Sequence, residues 1–445
     1  MTLPQDAFVE EWREACRIPS VSADVAAATV MADWVERRLS GTFDRVRRVD
    51  VPGHAPTLIA TLEGESPRRL LVYTHYDVQP PGDESLWSTP PFAAEIVDGA
   101  VVARGTCDDK ADITARLQAL DLWLEDCGGR PPYTLVWLCE GAEEIGSPGL
   151  EDVLVANRDE LAADWCLWES FIRGADGRPE IAFGCRGMVL LEVSVRTLAA
   201  DQHAAFSPVF RSAAIELSHA LASLVDLRGN ALVAGFGDNL ATYTDAERAA
   251  GETVSPPGAD AGVGGASPWL AGYSERELAD RLLYTPTINV SSISAGDALT
   301  GTSVVTASAR AHVDIHLVPD QEPDRVAELV RRHLDDRGFG HVELRVRGTR
   351  QPARSPIDTP LGRAAIAAAG ETMGEPVVYP QLPGAGPARA ILDLLGATTV
   401  SPAGTTRLAS GIHAPNEQGA IADYLDHVRF SRRLFERLAE EIPAE

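Results

Sequence analysis

RRLLVYTHYDVQPP, residues 68–81, is the most informative segment of this chain. Its apolar run, Leu70 to Tyr73, is followed by prolines at the end of the segment, and such a run is typical of a buried strand. His75 and Asp77 lie where that strand ends, at the edge where open α/β sheets keep their ligand sites. An imidazole beside a carboxylate that orients it is a suitable metal ligand. The alternative is a polar strand end that binds no metal. The segment therefore supports a metal site only because the same pattern recurs along the chain.

The pattern recurs in ARGTCDDKADITARLQALDLWLEDCGG, residues 103–129. Apolar residues three or four apart predict a helix from Lys110 to Asp126, and a glycine pair then ends it. Asp108 and Asp109 therefore lie at the N-terminus of this helix. They could be simple N-cap residues. Equally, the helix dipole keeps a carboxylate ionised at this point, which suits a bridge between metal ions.

Three further segments carry potential ligands after strand-like runs. The predicted strand Tyr133–Cys139 is followed by Glu143 and Glu144. These two are either solvated charges or, beside a metal, one ligand and one proton acceptor. Glu169 ends the apolar run WCLW, and His413 lies in SGIHAPNE after the strand-like ATTVS.

The five segments together offer ligands for two metal ions. Two histidines and three carboxylates allow each divalent ion one histidine, one carboxylate of its own and one shared carboxylate. Cys107, beside Asp108, is a further possible ligand, but the set is complete without it. Histidine and carboxylate ligands suit zinc, manganese and cobalt alike, so the residues alone do not select the metal.

These motifs resemble those of the cocatalytic dizinc exopeptidases, the family that includes carnosine dipeptidase, aminoacylase, acetylornithine deacetylase and carboxypeptidase G. THYDVQPPGDESLWSTPPF, ARGTCDDKAD, EGAEEIGSPGLE and GIHAPNE follow the order and spacing of its dipeptidase branch. The resemblance implies an enzyme with two divalent ions per subunit, zinc before manganese or cobalt. It implies these roles: one ion held by His75, Asp108 and Glu169, the other by Asp108, Glu144 and His413, with Asp77 orienting His75 and Glu143 as general base.

The order of predicted elements indicates an α/β protein of two domains. A chain of 445 residues exceeds one ordinary core, and the pattern changes near residue 187. From there the order is βαββαβ, which is ferredoxin-like, with strands at 188–195, 286–293, 307–318 and 341–346 and helices at 208–225 and 323–336. We therefore predict an inserted lid domain, 188–349, within a discontinuous catalytic domain, 1–187 plus 350–445, which the resemblance makes a phosphorylase/hydrolase-like α/β sheet domain.

Charge and composition exclude several classes of function. The formal net charge is −26, whereas nucleic acids and anionic membranes recruit basic surfaces. No apolar run reaches the length of a membrane span, and the first residues lack the basic-then-apolar pattern of a secretion signal. Six scattered cysteines without a C-x-x-C motif favour reduced thiols, and so a cytoplasmic location.

The resemblance also assigns dimerisation to the inserted domain, so we expect a homodimer. His203, in TLAADQHAAFSPVF, matches the family histidine that stabilises the oxyanion, in the active site of the other protomer. An ordinary surface histidine is the alternative. Asn289 and Ser303 match positions that contact substrate in the dipeptidases.

One departure from the family pattern concerns the substrate carboxylate. His316, in VDIHLVPDQ, stands where the dipeptidases have an arginine that clamps this group. Arginine binds a carboxylate through two donors and is always charged, whereas histidine offers one donor and titrates. Either another cation holds the carboxylate, with Arg389 and Arg407 the nearest candidates in sequence, or the substrate is not an ordinary dipeptide.

A second departure lies in a loop that would face the substrate. The Gly-Gly-Ser-x-Pro loop of the family is here Pro-Gly-Ala-Gly-Pro, with Gly384, Ala385 and Gly386 at its centre and no hydroxyl. We expect these residues to contact the substrate through backbone amides.

The expected function is metal-dependent hydrolysis of the amide bond of a dipeptide or dipeptide-like small molecule. An N-acyl amino acid deacylase with the same metal centre is the alternative among hydrolases. A non-catalytic metal-binding homologue is an alternative of another class, but such a protein would not need Glu143 as a base.

Overall fold

The structure is a computed structural model that describes residues 3–174, 176–238, 240–256, 269–296, 301–385 and 388–442. Within these ranges the helices are α1 Gln5–Cys16, α2 Val25–Ser40, α3 Lys110–Asp126, α4 Leu150–Ala156, α5 Arg158–Leu161, α6 Ala213–Ala222, α7 Asp245–Gly251, α8 Glu275–Tyr284, α9 Pro323–Asp336, α10 Pro360–Thr372, α11 Ala388–Leu395 and α12 Ile421–Glu441. Single turns of 3-10 helix lie at Glu84–Leu86, Glu143–Ile145, Ala204–Phe206 and Leu408–Ser410.

The strands of the described residues are β1 Arg45–Val49, β2 Thr57–Leu62, β3 Ser66–His75, β4 Glu95–Val97, β5 Ala100–Val102, β6 Tyr133–Glu140, β7 Trp165–Leu167, β8 Phe171–Arg173, β9 Glu180–Ala182, β10 Gly184–Arg196, β11 Gln202–His203, β12 Thr287–Ala295, β13 Val304–Val305, β14 Ser308–Leu317, β15 Glu343–Arg350, β16 Ala353–Arg354, β17 Val377–Tyr379, β18 Leu382–Ala385, β19 Thr398–Val400, β20 Ala403–Arg407 and β21 Gln418–Ala420.

A six-stranded sheet in the order β1-β2-β6-β3-β7-β19 forms the centre of the catalytic part. The four strands from β6 to β19 run parallel, and β1 and β2 are antiparallel at one edge. Both faces of the sheet are covered, so alternate residues of β3 enter different cores. Leu70 and Val72 pack with α1, α2, α3, α10 and α12, whereas Leu71 and Tyr73 pack with α4, α5 and α11. The parallel strands place their carboxyl ends at one edge of the sheet.

The inserted part has its own sheet and core. The antiparallel sheet runs β12-β14-β10-β15, and α6 and α9 pack on one of its faces. Elements β10, α6, β12, β14, α9 and β15 follow in the predicted order βαββαβ, with α7 and α8 between α6 and β12. The separate core confirms a catalytic domain with an inserted domain. The limits 188–349 stay a prediction, since β10 and β15 both run through the proposed junctions.

Two predicted helix limits are wrong, for reasons that lie far along the chain. The helix predicted over 208–225 is only Ala213–Ala222, because Thr306 accepts the first free N–H groups, from Ala213 at 3.0 Å and from Ala214 at 3.1 Å. The sequence pattern also predicts a last helix from Gln418 to Glu440, but this helix begins at Ile421, because Gln418–Ala420 pair with β5 instead. The glycine-rich segment GADAGVGGASP, 258–268, lies outside the described residues.

No helix in the described ranges is both long and apolar enough to cross a membrane.

Candidate active site

Three adjacent parallel strands deliver the candidate residues to one edge of the central sheet. His75 is the last residue of β3, which lies between β6 and β7. Glu143 and Glu144 follow β6 by three and four residues, and Glu169 follows β7 by two. Asp108 enters from the N-terminus of α3, and His413 from the loop between β20 and β21. The sequence pattern therefore predicted the convergence correctly.

Asp108 is the centre of this group. Its Oδ1 lies 2.9 Å from His75 Nε2, and its Oδ2 lies 3.1 Å from His413 Nε2. His413 Nε2 is also 3.0 Å from Glu144 Oε2. Ligand atoms of Asp108, Glu144 and His413 all lie within 4.8 Å of one another, which is close enough to hold one ion. Two histidines on opposite oxygens of one carboxylate is the arrangement that a carboxylate bridging two cations requires.

Asp109 is not the helix cap that the alternative interpretation assumed. It occupies the N-cap position of α3, but its side chain makes no capping hydrogen bond. Instead its Oδ2 accepts a hydrogen bond of 3.2 Å from the backbone N–H of His75. This hydrogen bond between Asp109 and His75 connects the start of α3 to the end of β3. The side chain of Asp108 is therefore left to face both histidines.

Glu169 follows β7, the neighbour of β3, and its carboxylate senses the charges of His75 and Asp108, so it fits a second cation. Its Oε1 is buried and has no hydrogen-bond partner among the described residues. Burial raises the pKa of Glu169 well above its usual value; the charge of His75 opposes this, and those of Glu143 and Asp108 add to it. A buried carboxylate oxygen without a donor is costly, and a divalent ion beside His75 and Asp108 would supply the missing partner. The residues present therefore fit the metal pair that the motifs imply.

Asp77 contacts His75, as predicted, and also holds other parts of the site. His75 Nδ1 lies 3.1 Å from the backbone oxygen of Asp77 and 3.5 Å from its Oδ1. Oδ1 also accepts the N–H of Glu143 at 3.1 Å, and Oδ2 accepts the N–H of Glu144 at 3.1 Å and the hydroxyl of Ser22 at 2.6 Å. This fully buried carboxylate thus holds the end of β3 against the turn that follows β6.

Glu143 is placed as a group that can exchange protons. Its side chain accepts no hydrogen bond from any described residue, while its backbone is held by Asp77. Burial raises the pKa of Glu143; the charge of His75 opposes this shift, and the charges of Asp108, Glu144 and Asp77 reinforce it. Glu143 and Glu169 both line a cavity of about 80 Å³. A carboxylate whose pKa is raised toward neutrality suits general base and acid work.

Three residues that support the site were not singled out from the sequence, although Gln79 and Glu417 lie within the quoted motifs. Ser22 donates to Asp77, and Gln79 donates its backbone N–H and its Nε2 to the carboxylate of Glu144, at 3.2 and 3.0 Å. Glu417 is buried and pairs with Arg104 at 2.7 Å. It also accepts the N–H groups of Gly105 at 2.9 Å and of Cys107 at 3.0 Å, which orders the loop before Asp108.

The predicted oxyanion histidine lies on the surface of the inserted domain. His203 is exposed, in β11, which pairs with β13. Its Nδ1 accepts the N–H of Ala205 at 3.1 Å, and the backbone oxygen of Ser303 accepts the N–H of Ala204. His203 and Ser303 are therefore neighbours. Within the described part of the chain, no hydrogen bond joins His203 to any of the candidate metal ligands.

The other predicted substrate residues lie along the open side of the lid sheet and in β18. Asn289 is exposed and donates to Asp314 at 3.4 Å, and His316 is half-buried. Burial lowers the pKa of the His316 imidazole, and the charge of Arg186 lowers it further. Gly384 and Ala385 end β18, whereas Gly386 lies outside the described residues.

Both arginines that the sequence offered as carboxylate clamps already have carboxylate partners. Arg389 Nε donates to Asp393 at 2.6 Å. Arg407 forms two hydrogen bonds with Asp423, at 2.5 and 2.9 Å. Neither guanidinium is therefore free to act as the clamp.

The sequence of this chain is similar to those of known peptidases. The model of the family described as peptidase family M20/M25/M40 matches residues 71–437. A Cys-Gly metallodipeptidase of Schizosaccharomyces pombe is 28% identical over 350 residues, which cover 74% of this chain and 73% of the relative. A Beta-Ala-His dipeptidase of Mus musculus is 27% identical over 290 residues, covering 63% of this chain and 58% of the relative.

Solved structures match over nearly the full chain. An M20 family metallo-carboxypeptidase of Sulfolobus solfataricus superimposes with a TM-score of 0.88 at 29% identity, covering 99% of this chain and 100% of that one. Human carnosine dipeptidase 1 superimposes with a TM-score of 0.78 at 22% identity, covering 98% and 97%. The second likeness shows the shared fold.

Proposed function

Because this chain belongs to peptidase family M20/M25/M40, we propose that it hydrolyses the peptide bond of dipeptides at a centre of two divalent ions. The chain is a metallopeptidase, as its named relatives are. Dipeptides are the proposed substrates because relatives of 28% and 27% identity are named Cys-Gly and Beta-Ala-His dipeptidases. The observation that carries the proposal is the contact of both Asp108 oxygens with His75 and His413.

The proposed ligands divide into two sets that share Asp108. His75 and Glu169 complete one set, and Glu144 and His413 complete the other. The close approach of Asp108, Glu144 and His413 supports the second set, and the unpartnered Oε1 of Glu169 supports the first. Zinc is proposed before manganese or cobalt on the resemblance of the motifs, since the ligand types suit all three.

The proposed chemistry depends on Glu143. Bound ions would supply Lewis acidity, which polarises the scissile carbonyl and lowers the pKa of an attacking water. Glu143 takes the proton of that water and later gives it to the leaving amine nitrogen. Its side chain, unpartnered among described residues and beside the cavity, supports this role. Asp77 keeps Glu143 in place through the backbone N–H.

We propose that the active site is completed by a second copy of the chain. His203 would stabilise the developing oxyanion in the partner subunit's site. Its exposure on the inserted domain supports this role, as do the exposed Phe206, Val209 and Phe210 nearby, an apolar patch that a homodimer would bury. The six free cysteines support the cytoplasmic location proposed for the protein.

A hydrolysis screen tests the proposal. Purified protein is assayed against dipeptides, tripeptides, longer peptides and N-acyl amino acids, first as prepared, then after chelation, then after zinc, manganese or cobalt is restored. We expect dipeptide hydrolysis that chelation abolishes and metal restores. Glu143→Gln, with unchanged metal content, is the control for contaminating peptidases. Cleavage of N-acyl amino acids alone would assign the deacylase alternative. Removal of C-terminal residues from long peptides would assign a carboxypeptidase, as the name of the Sulfolobus structure suggests.

A further inference from the structure

Arg186 differs from every other buried arginine among the described residues. Arg104, Arg116, Arg173 and Arg186 are each at most 3% exposed. The first three have a carboxylate oxygen at 2.7 Å, 3.3 Å and 3.3 Å respectively, from Glu417, Asp112 and Asp423. Arg186 has no carboxylate partner in the described chain, although acidic residues outnumber basic ones by 65 to 39. A buried charge without a counter-ion is costly, so this exception needs an explanation.

Only one edge of the Arg186 guanidinium is used. Nη2 donates to the backbone oxygens of Arg281 at 3.2 Å and of Leu282 at 2.8 Å, near the C-terminal end of α8. Nε is buried and donates to no described residue, and Nη1 likewise has no acceptor in the described structure. Burial lowers the pKa of Arg186 to about 10, so the group still carries its charge at neutral pH. The bonds to α8 hold the guanidinium in place and leave donors over for a planar anion.

A second donor without an acceptor lies in the same region. The hydroxyl of Tyr243 is buried and has no partner among the described residues. Its ring packs against Tyr284, the last residue of α8, at 4.6 Å between centroids, and against the guanidinium of Arg354 at 4.8 Å. Arg354 is the register partner of Gly184, two residues before Arg186. The Arg186 guanidinium and the Tyr243 hydroxyl therefore lie around the same end of α8.

The position of Arg186 connects these donors to the substrate side of the molecule. Arg186 pairs with Ala385 in β18, within the loop predicted to contact substrate. It lies on the same face of β10 as Met188, whose partner across the sheet is His316. Arg186 is thus flanked by the two segments that lack the family's arginine and hydroxyl. The residue before it, Cys185, lines the cavity that Glu143 shares.

We propose that Arg186 binds the C-terminal carboxylate of the substrate, with the Tyr243 hydroxyl as a second donor. This assignment rests on the proposed function and names its substrate class: peptides with a free C-terminal carboxylate, rather than amides or esters. His316 in β14 replaces the arginine that binds the substrate carboxylate in the dipeptidases. In this proposal the cation is Arg186 instead, from the neighbouring strand β10. Arg186 then determines specificity, and capping of α8 is the means by which it is positioned.

The alternative is that Arg186 only caps α8, and a pair of substrates separates the two roles. We would measure kcat and KM for alanyl-leucine and for its neutral analogue alanyl-leucinamide in the wild type, Arg186→Met and Arg186→Lys. A charge-assisted bond is worth enough that its loss lowers kcat/KM for alanyl-leucine by about 100-fold. The amide should change by less than about threefold, because it makes no such bond. Lysine keeps the charge but not the planar pair of N–H donors. Arg186→Lys should therefore recover part of the preference for alanyl-leucine that Arg186→Met loses.

Arg354→Met is the matched control, because Arg354 also contacts Tyr243 but is paired with Glu247. Its preference for the acid over the amide should stay that of the wild type. If Arg186→Met lowers kcat/KM equally for alanyl-leucine and alanyl-leucinamide, the proposal is overturned and Arg186 only caps α8. The proposal is also overturned if the wild type shows no preference for alanyl-leucine.

If the wild type cleaves no dipeptide, the proposed function fails and the inference is tested by binding. Calorimetric titration of leucine and leucinamide then replaces the assay. Tighter binding of leucine that disappears in Arg186→Met supports a carboxylate site, and equal binding of the two ligands to the wild type overturns it.

Discussion

Replacing Asp77 by asparagine should disable the site by displacing its backbone, although the change alters neither size nor shape. Both carboxylate oxygens are needed: Oδ1 accepts the N–H of Glu143, and Oδ2 accepts the N–H of Glu144 and the hydroxyl of Ser22. Asparagine has a single oxygen. Whichever way its amide turns, its NH2 faces one of the two backbone N–H groups.

The size of the effect follows from these contacts. A hydrogen bond to a charged acceptor contributes about 1.5–3 kcal/mol, and Asp77→Asn loses one such bond outright and weakens the others by removing the charge. The free energy of unfolding of the metal-free protein should therefore fall by about 3 kcal/mol or more. Because Glu143 moves with its backbone, turnover of the metal-loaded enzyme should fall by about 100-fold.

Ser22→Ala is the matched control, since it removes one donor and leaves both backbone hydrogen bonds to Asp77. It should cost about 1–2 kcal/mol and keep kcat within about threefold. Urea unfolding of chelator-treated protein gives the stabilities, and kcat is measured with metal content determined on the same samples. The reasoning is wrong if Asp77→Asn matches Ser22→Ala in both stability and kcat.

The remaining predictions separate roles within the site and outside it. Glu143→Gln should keep both metals and lose about 100-fold in kcat, whereas Glu144→Gln should lose metal by elemental analysis; identical behaviour would refute the division of roles. If His203 acts across a dimer, mixing His203→Ala with Glu143→Ala protein should restore about a quarter of wild-type activity through mixed dimers, and no recovery after confirmed subunit exchange would exclude this. Burial raises the pKa of Glu180 to about 7, so the folded state binds a proton that the unfolded state releases, and stability falls as pH rises from about 4.5 to 7. Glu180→Gln should therefore raise the Tm at pH 8 but not at pH 4, and an equal change at both would contradict the assignment.

Local signals in the sequence were sufficient to predict several elements and to bring the candidate metal ligands to one edge of the sheet. Helix α3 has the predicted limits Lys110–Asp126 and α9 the predicted limits Pro323–Asp336, because glycine and proline mark their ends locally. His75 is the last residue of β3, Asp108 lies just before α3, and His413 lies in the loop after β20; all three meet at the carboxyl edge of the parallel strands. Such placement can be inferred from the order of elements alone.

Long-range partners could not be predicted in the same way. Ser22 lies 55 residues before the Asp77 carboxylate that it contacts, and no pattern links the two. The start of α6 depends on Thr306, which is 92 residues beyond Ala214. Likewise, Arg389 was a candidate clamp because of its position in the sequence, whereas its pairing with Asp393 is visible only in the structure.

The position of His413 after the inserted domain has a consequence for how the protein is made. A ribosome that has completed residue 187 must still add 226 residues before His413 exists, which takes about 10 to 45 s at ordinary elongation rates. The edge strand β19 of the central sheet, Thr398–Val400, is also missing for most of that interval. During that interval the nascent chain carries Asp108, the proposed shared carboxylate, with only one of the two histidines that contact it. If the centre holds the two proposed ions, we expect the second to be acquired only late in synthesis, and premature termination anywhere in the inserted domain to leave a chain that can load one ion at most.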